Sequence, residues 1–235
     1  MERESLSGKG RLKEARSHRC ADDANIFVRS ERAGLRVMTS IRGVLEKRMR
    51  LQINEEKSGV RRPDEVAFLG FRFCCITGEQ GDTVAVFPSQ KAERRLKATI
   101  REMTPPNWGR SITACMKDIS RYLTGWMSHF RLCTPETVDR LRVIDAHVRR
   151  RVRAIIVRQR KRSRFLFRHL RSRGVGLKAA ANCAYCGKGA WVRSNRPGMT
   201  RAYPPAWFTS RLVSLQTRWS DLNPPTAPAQ HSLAL

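Results

Sequence analysis

Between Asp145 and Asp221 this chain has no acidic residue, while 19 Lys or Arg fall in the same interval. That absence argues against a merely solvated surface, which would intersperse both signs of charge. Long apolar runs are missing too. None approaches the ~20 residues that span a bilayer, so no membrane partner is expected. Residues 1–19 are polar and charged throughout and show no secretory leader. The seven cysteines are odd in number and lack a framework spacing. A reduced, cytoplasmic setting is the default expectation. Cys183-Ala184-Tyr185-Cys186 holds two sulfurs at metal-ligand spacing, but neither a second Cys pair nor a His pair follows it. A structural zinc site needs four ligands, so free thiols on a basic loop are the expectation.

What is present is cationic. The chain has 235 residues, room for one large domain or two small ones, and 40% of them are hydrophobic, enough for a core. Against 20 Asp and Glu stand 47 Lys and Arg, a net charge of +27. Residues up to Asp145 contribute +9 of it and the rest +18. Such an excess points to a polyanionic partner, and nucleic acid is the usual one. Arg outnumbers Lys in the second part. Its planar fork binds phosphate and stacks on bases, which favours structured nucleic acid. The densest candidates for phosphate contact are Arg149, Arg150, Arg151, Arg153, Arg158, Arg160, Lys161, Arg162, Arg164 and Arg168. They occupy several faces of a helix, so one face can pack while the rest meets a ligand.

Periodicity divides the chain. Residues 1–19 carry none and read as a disordered or eroded lead-in. Asn25–Arg29 reads as a strand, and Arg32–Arg50 as a helix capped by Ser30, with Leu35, Met38, Ile41, Leu45 and Met49 on one face. Leu51–Ile53 reads as a strand, Asn54–Ser58 as a polar turn, and Val66–Phe73 as a strand with Gly70 in its middle. Gly78, Gly81 and Asp82 form a hairpin loop into a strand at Thr83–Phe87. From Ser89 the pattern is helical: Lys91–Met103, Ser111–Arg131, Glu136 to about Arg160, and Ser163–Arg173. An irregular aromatic and basic segment reaches Trp219. Its Trp191, Trp207, Trp219 and Tyr203 suit either base stacking or core packing. Tyr122, Trp126 and Phe130 fall at helical spacing and read as core, and packing is also the reading for His129 and His147. The prolines after Asn223 mark a disordered tail.

One short feature carries a different chemistry. Asp22 and Asp23 stand side by side before a β-prone run, in Cys20-Ala21-Asp22-Asp23. Two-metal phosphoryl transfer needs carboxylates around two Mg²⁺ ions about 3.5–4 Å apart. Two neighbouring residues on a strand point to opposite sides, so this pair alone supplies only part of such a cage.

Taken together, these segments resemble the C-terminal half of group II intron reverse transcriptase/maturases, over about residues 20–215. Cys20–Asp23 is similar to the family's aromatic-Ala-Asp-Asp box, with Cys20 in place of the aromatic. Asn54-Glu55-Glu56-Lys57-Ser58 is similar to its Asn-x-x-Lys-Ser/Thr turn, and Phe68–Phe73 to the strand pair that grips the primer terminus. Asn107–Ser111, Tyr122–Phe130, Ile144–Arg151, Trp191 and Leu212–Leu215 resemble the maturase-specific thumb, domain X.

The resemblance implies an α+β fold: a truncated reverse-transcriptase palm remnant at 20–87, followed by an α-helical thumb/maturase domain at 88–219 and a tail at 220–235. It implies RNA-directed DNA polymerase ancestry, with Asp22 and Asp23 as the catalytic and Mg²⁺-binding remnant of an incomplete site. No tightly bound cofactor is expected. Lys57 and Gly70 would lie near the nucleic acid. Structured intron RNA is the implied partner and a DNA target a further one. The family's fingers and first half of the palm have no counterpart in this sequence, and a partner chain supplying them is left open. The expectation is a truncated maturase that binds intron RNA and does not polymerise alone. The alternatives are a general basic RNA- or DNA-binding protein and a non-functional mobile-element relic.

Overall fold

The computed structural model describes residues 16–20, 23–55, 58–78, 81–107 and 109–224. The chain divides into two compact units, Met1–Val66 and Ala67–Leu235.

In the first unit, β1 (Arg16–Cys20) pairs antiparallel with β2 (Asp23–Phe27), from Arg16 opposite Phe27 to Cys20 opposite Asp23. A strand therefore occupies the end of a stretch in which no pattern is legible. Helix α1 (Glu31–Gly43) starts where expected: the Ser30 hydroxyl accepts from the Ala33 N–H and satisfies an orphan donor of the first turn. It continues as a π-helical turn over Val44–Arg48. The strand expected at Leu51–Ile53 does not form. That segment is irregular: the Leu51 N–H donates to the Leu45 carbonyl at 2.9 Å, closing off the preceding helical turn, and its side chain is exposed. Asn54 closes a turn by accepting from the Ser58 N–H at 2.9 Å. Among the described side chains of this unit only Gly34 is buried.

The second unit begins with a three-stranded antiparallel sheet, β3 (Ala67–Phe68), β4 (Phe71–Gly78) and β5 (Gly81–Pro88), in that order. The apolar run read as one strand is two. Leu69 and Gly70 lie between the paired Phe68 and Phe71 with φ of 51° and 84°. Both central residues in the left-handed region make the primed kind of hairpin turn, where glycine is favoured. A Cβ on Gly70 would also sit 3.3 Å from the Phe130 ring.

Helices α2 (Gln90–Glu102), α3 (Ile112–His129), α4 (Val138–Gln159) and α5 (Ser163–Ser172) follow the expected apolar faces. Ser89 and Ser111 cap α2 and α3 through hydroxyls that accept from the Ala92 and Ala114 N–H groups. Leu96 and Ile100 of α2, Ile119, Leu123 and Met127 of α3, Leu141, Ile144 and Val152 of α4, and Leu166 and Leu170 of α5 form one core.

The segment expected to be irregular is instead a series of short helices: α6 (Leu177–Ala184), α7 (Ala190–Arg193), α8 (Pro197–Ala202), α9 (Pro205–Thr209) and α10 (Leu215–Leu222). They join the same core through Met199, Phe208, Leu215 and Trp219. Gly198 is required by close approach, since a Cβ there would lie 2.7 Å from the Ala179 carbonyl oxygen and from Cys183 Cβ. The tail expected to be disordered lies, beyond residue 224, outside the described residues.

The sheet belongs to the helical unit, not to the α1 region with which the sequence grouped it. Val86 of β5 accepts from the Thr134 N–H at 3.0 Å and donates to the Thr134 hydroxyl at 3.1 Å. Gly70 accepts from Ser89 N–H at 2.7 Å. Phe71 packs on His129 and Phe130 with ring centroids 5.5 and 5.0 Å apart. The structure is thus mixed helix and sheet, consistent with the α+β expectation. No helix among the described residues is long and apolar enough to cross a membrane.

Candidate nucleic-acid interface

The candidate cations sit on the second half of α4, the turn after it, and α5. A helix of this length presents residues on every side, and tertiary contacts decide which cations are held inside.

Arg151 turns inward. Its Nε donates to the Thr104 hydroxyl at 2.8 Å, and a terminal nitrogen donates to the carbonyls of Thr104 at 2.7 Å and Arg101 at 3.3 Å. These are carbonyls at the end of α2, where a cation complements the helix dipole. Burial and the nearby Arg158 and Arg101 charges lower its pKa. Arg153 is buried, donates to the Tyr203 carbonyl at 3.1 Å and lies over the Phe208 ring. Burial, with help from Arg149, brings its pKa down to about 10, so it stays charged at neutral pH. Arg150 stacks on Trp191, 3.8 Å from the ring centroid, and donates to the Trp191 carbonyl. These three hold α4 to α2, to the chain after α8, and to α7.

The others face outward or stand half-exposed. Lys161, Arg162, Arg164 and Arg168 are exposed; Arg149, Arg158 and Arg160 are intermediate. No ion pair engages any of them among the described residues.

The one acid of α4's second turn is structural. Asp145 is 4% exposed. Its carboxylate accepts from the Ser214 hydroxyl at 2.6 Å and from the N–H groups of Leu215 and Gln216 at 2.9 and 3.2 Å. It thereby caps the start of α10, a role that no sequence spacing announced. Arg140 pairs with Glu93 at 3.0 Å and ties α4 to α2.

Of the late-segment aromatics, Trp191, Tyr203, Trp207, Phe208 and Trp219 are internal or half-buried, and Tyr185 is exposed. Trp219 is buried and donates to the Cys133 carbonyl at 3.0 Å. Tyr203 is buried beneath Arg173, contacts His169, and meets Trp207 edge-on. Phe130 is buried, and Tyr122 and Trp126 pack against the core. His147 meets Trp191 edge-on, while His129 is exposed, contacts the Leu69 carbonyl and stacks on Phe71. Burial, and then the surrounding cations, keep the His147 and His169 pKa values below 6.5.

The remaining candidates are not brought to this surface. Asp22, the Asp23 side chain and Lys57 lie outside the described residues. Gly70 makes a turn that α2 and α3 hold in place. Among the described residues no group of three His, Cys, Asp or Glu could hold a metal ion. Cys183 is buried and Cys186 half-buried.

Residues 93–174 match the family model described as Group II intron, maturase-specific domain. The matched residues run from Glu93 in α2 to just past α5 and include every candidate cation of the α4–α5 run. A search of curated proteins returned no match. The helices α6–α10 lie beyond the matched residues but share one hydrophobic core with them.

Proposed function

We propose that the helical unit binds structured group II intron RNA through the outward cations of α4 and α5 and acts as a maturase. The observation that carries this reading is the match of residues 93–174 to the maturase-specific domain, overlapping the interval 146–220 that has 19 Lys or Arg and no acidic residue. The surface is built for phosphate. Lys161, Arg162, Arg164 and Arg168 project from a turn and helix whose apolar side is anchored by Leu166 and Leu170. Arg150, Arg151 and Arg153 fix the scaffold beneath them. Forked guanidinium groups on a rigid helix suit a folded RNA whose phosphates stand at fixed positions. Asp22 and Asp23 are read as the remnant of a polymerase site. RNA binding does not depend on them, and primer extension by the chain alone is not expected.

Binding of an intron transcript and of a random transcript of equal length, followed across a salt series, tests the proposal. The intron RNA should bind more tightly at moderate salt. The log–log slope should be steep, since each neutralised phosphate contributes about −0.7 on single strands and about −0.9 on a B-form duplex. Arg162→Glu, Arg164→Glu and Arg168→Glu together should weaken binding by at least about tenfold and flatten the slope. Equal affinity for the two transcripts would favour a general basic RNA-binding protein. An unchanged slope in the triple variant would place the surface elsewhere.

A further inference from the structure

The C-terminal end of α4 forms one wall of an open cleft of about 760 Å³. The loop after α2, with Pro106 and Asn107, forms a second wall, and the start of α7 with the loop before it forms a third. Four cations line it: Arg158, Lys161, Lys188 and Arg193. Among the described residues no acidic one lines it. Two of the cations present buried donors with no acceptor among the described residues. Arg158 Nη1 and Arg193 Nε are shielded from bulk water and make no hydrogen bond. Buried donors are ordinarily satisfied, so a pair in one cationic cleft calls for an acceptor from outside. Between the charges the wall is apolar, with Pro106, Ile155, Val157 and Ala190. The walls are held independently of any ligand. The Arg150–Trp191 stack fixes α7 on α4, and Gln159 Nε2 donates to the Arg110 carbonyl at 3.2 Å, fixing the loop after α2.

We infer that this cleft takes a single unpaired nucleotide of RNA, its phosphate on Arg158, Lys161, Lys188 and Arg193 and its base against the apolar wall. The size is that of a small-ligand site. A paired helix presents two backbones on a convex surface and cannot enter a concave cleft of this kind, whereas an unstacked nucleotide can. Sequence-specific RNA recognition generally uses such splayed bases. The inference rests on the RNA-binding reading above and deepens it. The sequence missed Lys188 and Arg193 because they fall in the segment read as irregular.

The test uses the full chain with Lys161→Gln and Lys188→Gln combined, since both side chains are exposed. The control combines Lys91→Gln and Arg131→Gln, also exposed and on helical turns outside the cleft lining. Affinities are measured for an RNA hairpin with a single-stranded tail and for the same hairpin without it. Circular dichroism melts check that the variants fold. The cleft variant should lose roughly tenfold in affinity for the tailed RNA and flatten its salt slope by about 1.4, two single-strand contacts. It should lose less on the blunt hairpin, and the control should lose less on both. A 4-thiouridine in the tail should crosslink to peptides containing residues 106–109 or 188–193. If the cleft variant and the control lose equally, or the tail makes no difference, the cleft inference falls while the RNA-binding reading stands. If adenosine 5′-monophosphate blocks crosslinking but tailed RNA shows no preference for the cleft, the site serves a small free phosphate instead and the inference is overturned. If the unaltered chain binds neither RNA, the broader reading falls as well.

Discussion

The two units share a chain and differ in how they treat apolar surface. In Ala67–Leu235 the apolar faces of four main helices close on one another, and Leu123 is 0% exposed. Among the described residues of Met1–Val66 the stripe that begins on α1 is never fully covered: Leu35 is 55% exposed, Met49 beyond the helix end 56%, and Met38, Ile41 and Leu45 are half-buried. The sequence stripes are similar in quality. An amphipathic pattern is therefore a statement about a helix, and a core is a statement about its neighbours, which explains why equal patterns end in unequal burial.

The largest expected consequence is in amide hydrogen exchange. Amides of α3 should exchange at least about a thousandfold more slowly than those of α1, since core helices open only with global unfolding while thinly packed ones open locally. Comparable protection in α1 would break the comparison and show a stable fold in the first unit. Next in size is a matched truncation. Leu123→Ala should cost about 2–5 kcal/mol in a denaturant melt, while Leu35→Ala should stay within about 0.5 kcal/mol. A similar cost at both sites would mean that α1 is covered in solution.

A third expectation tests the polar part of the core. Asp145→Ala removes a carboxylate that accepts three hydrogen bonds and leaves the Leu215 and Gln216 N–H groups without that acceptor, while Ser214 still caps Thr217, and it should cost about 2–4 kcal/mol. Arg162→Ala, on the exposed surface, should leave stability within about 0.5 kcal/mol. A stable Asp145→Ala protein would show that α10 docks through Leu215 and Trp219 alone.

How far these elements were legible follows from the same contrast. Helices α2 to α5 could be read because each repeats an apolar face over several turns, and Ser30 announced the cap of α1, whereas the caps Ser89 and Ser111 came from the structure. The helices α6 to α10 run four to eight residues and complete too few turns to show a period. The turn at Leu69–Gly70 was hidden because Leu69 is apolar and continues the pattern of the flanking strands. At the interface, the cationic run was plain in the sequence. Which cations face out was not, because it depends on carbonyls far along the chain: Thr104 for Arg151, Tyr203 for Arg153, and Ala202 for Arg173, which the sequence did not single out. Asp22, Asp23 and Lys57 rest on the family resemblance alone.

The smallest effect is on pH dependence. His147 and His169 have folded pKa values held below the ordinary 6.5. As pH falls through 6.5 the unfolded chain takes up protons before the folded one does, so stability falls with pH below that point and is fully present above it. Thermal melts from pH 7.5 to 5 should show a declining Tm. His147→Gln should shallow the decline, and an identical profile would remove His147 as a source.

The β4–β5 hairpin is gripped at one end. At its base Gly70 bonds Ser89, Val86 bonds Thr134, and Phe71 and Phe87 pack beneath. Toward the other end Val84, Ile76 and Cys75 are exposed. It is a cantilever of eight paired residues per strand, about 27 Å long at ~3.4 Å per residue. In a beam clamped at one end, small rotations at the clamp become large displacements at the far end. A tilt of about 5° at Gly70 moves the other end by about 2 Å at that length. The position of the far end is therefore set by Gly70 and Phe71 more than by any residue near Gly78, and aiming the hairpin is a property of its root.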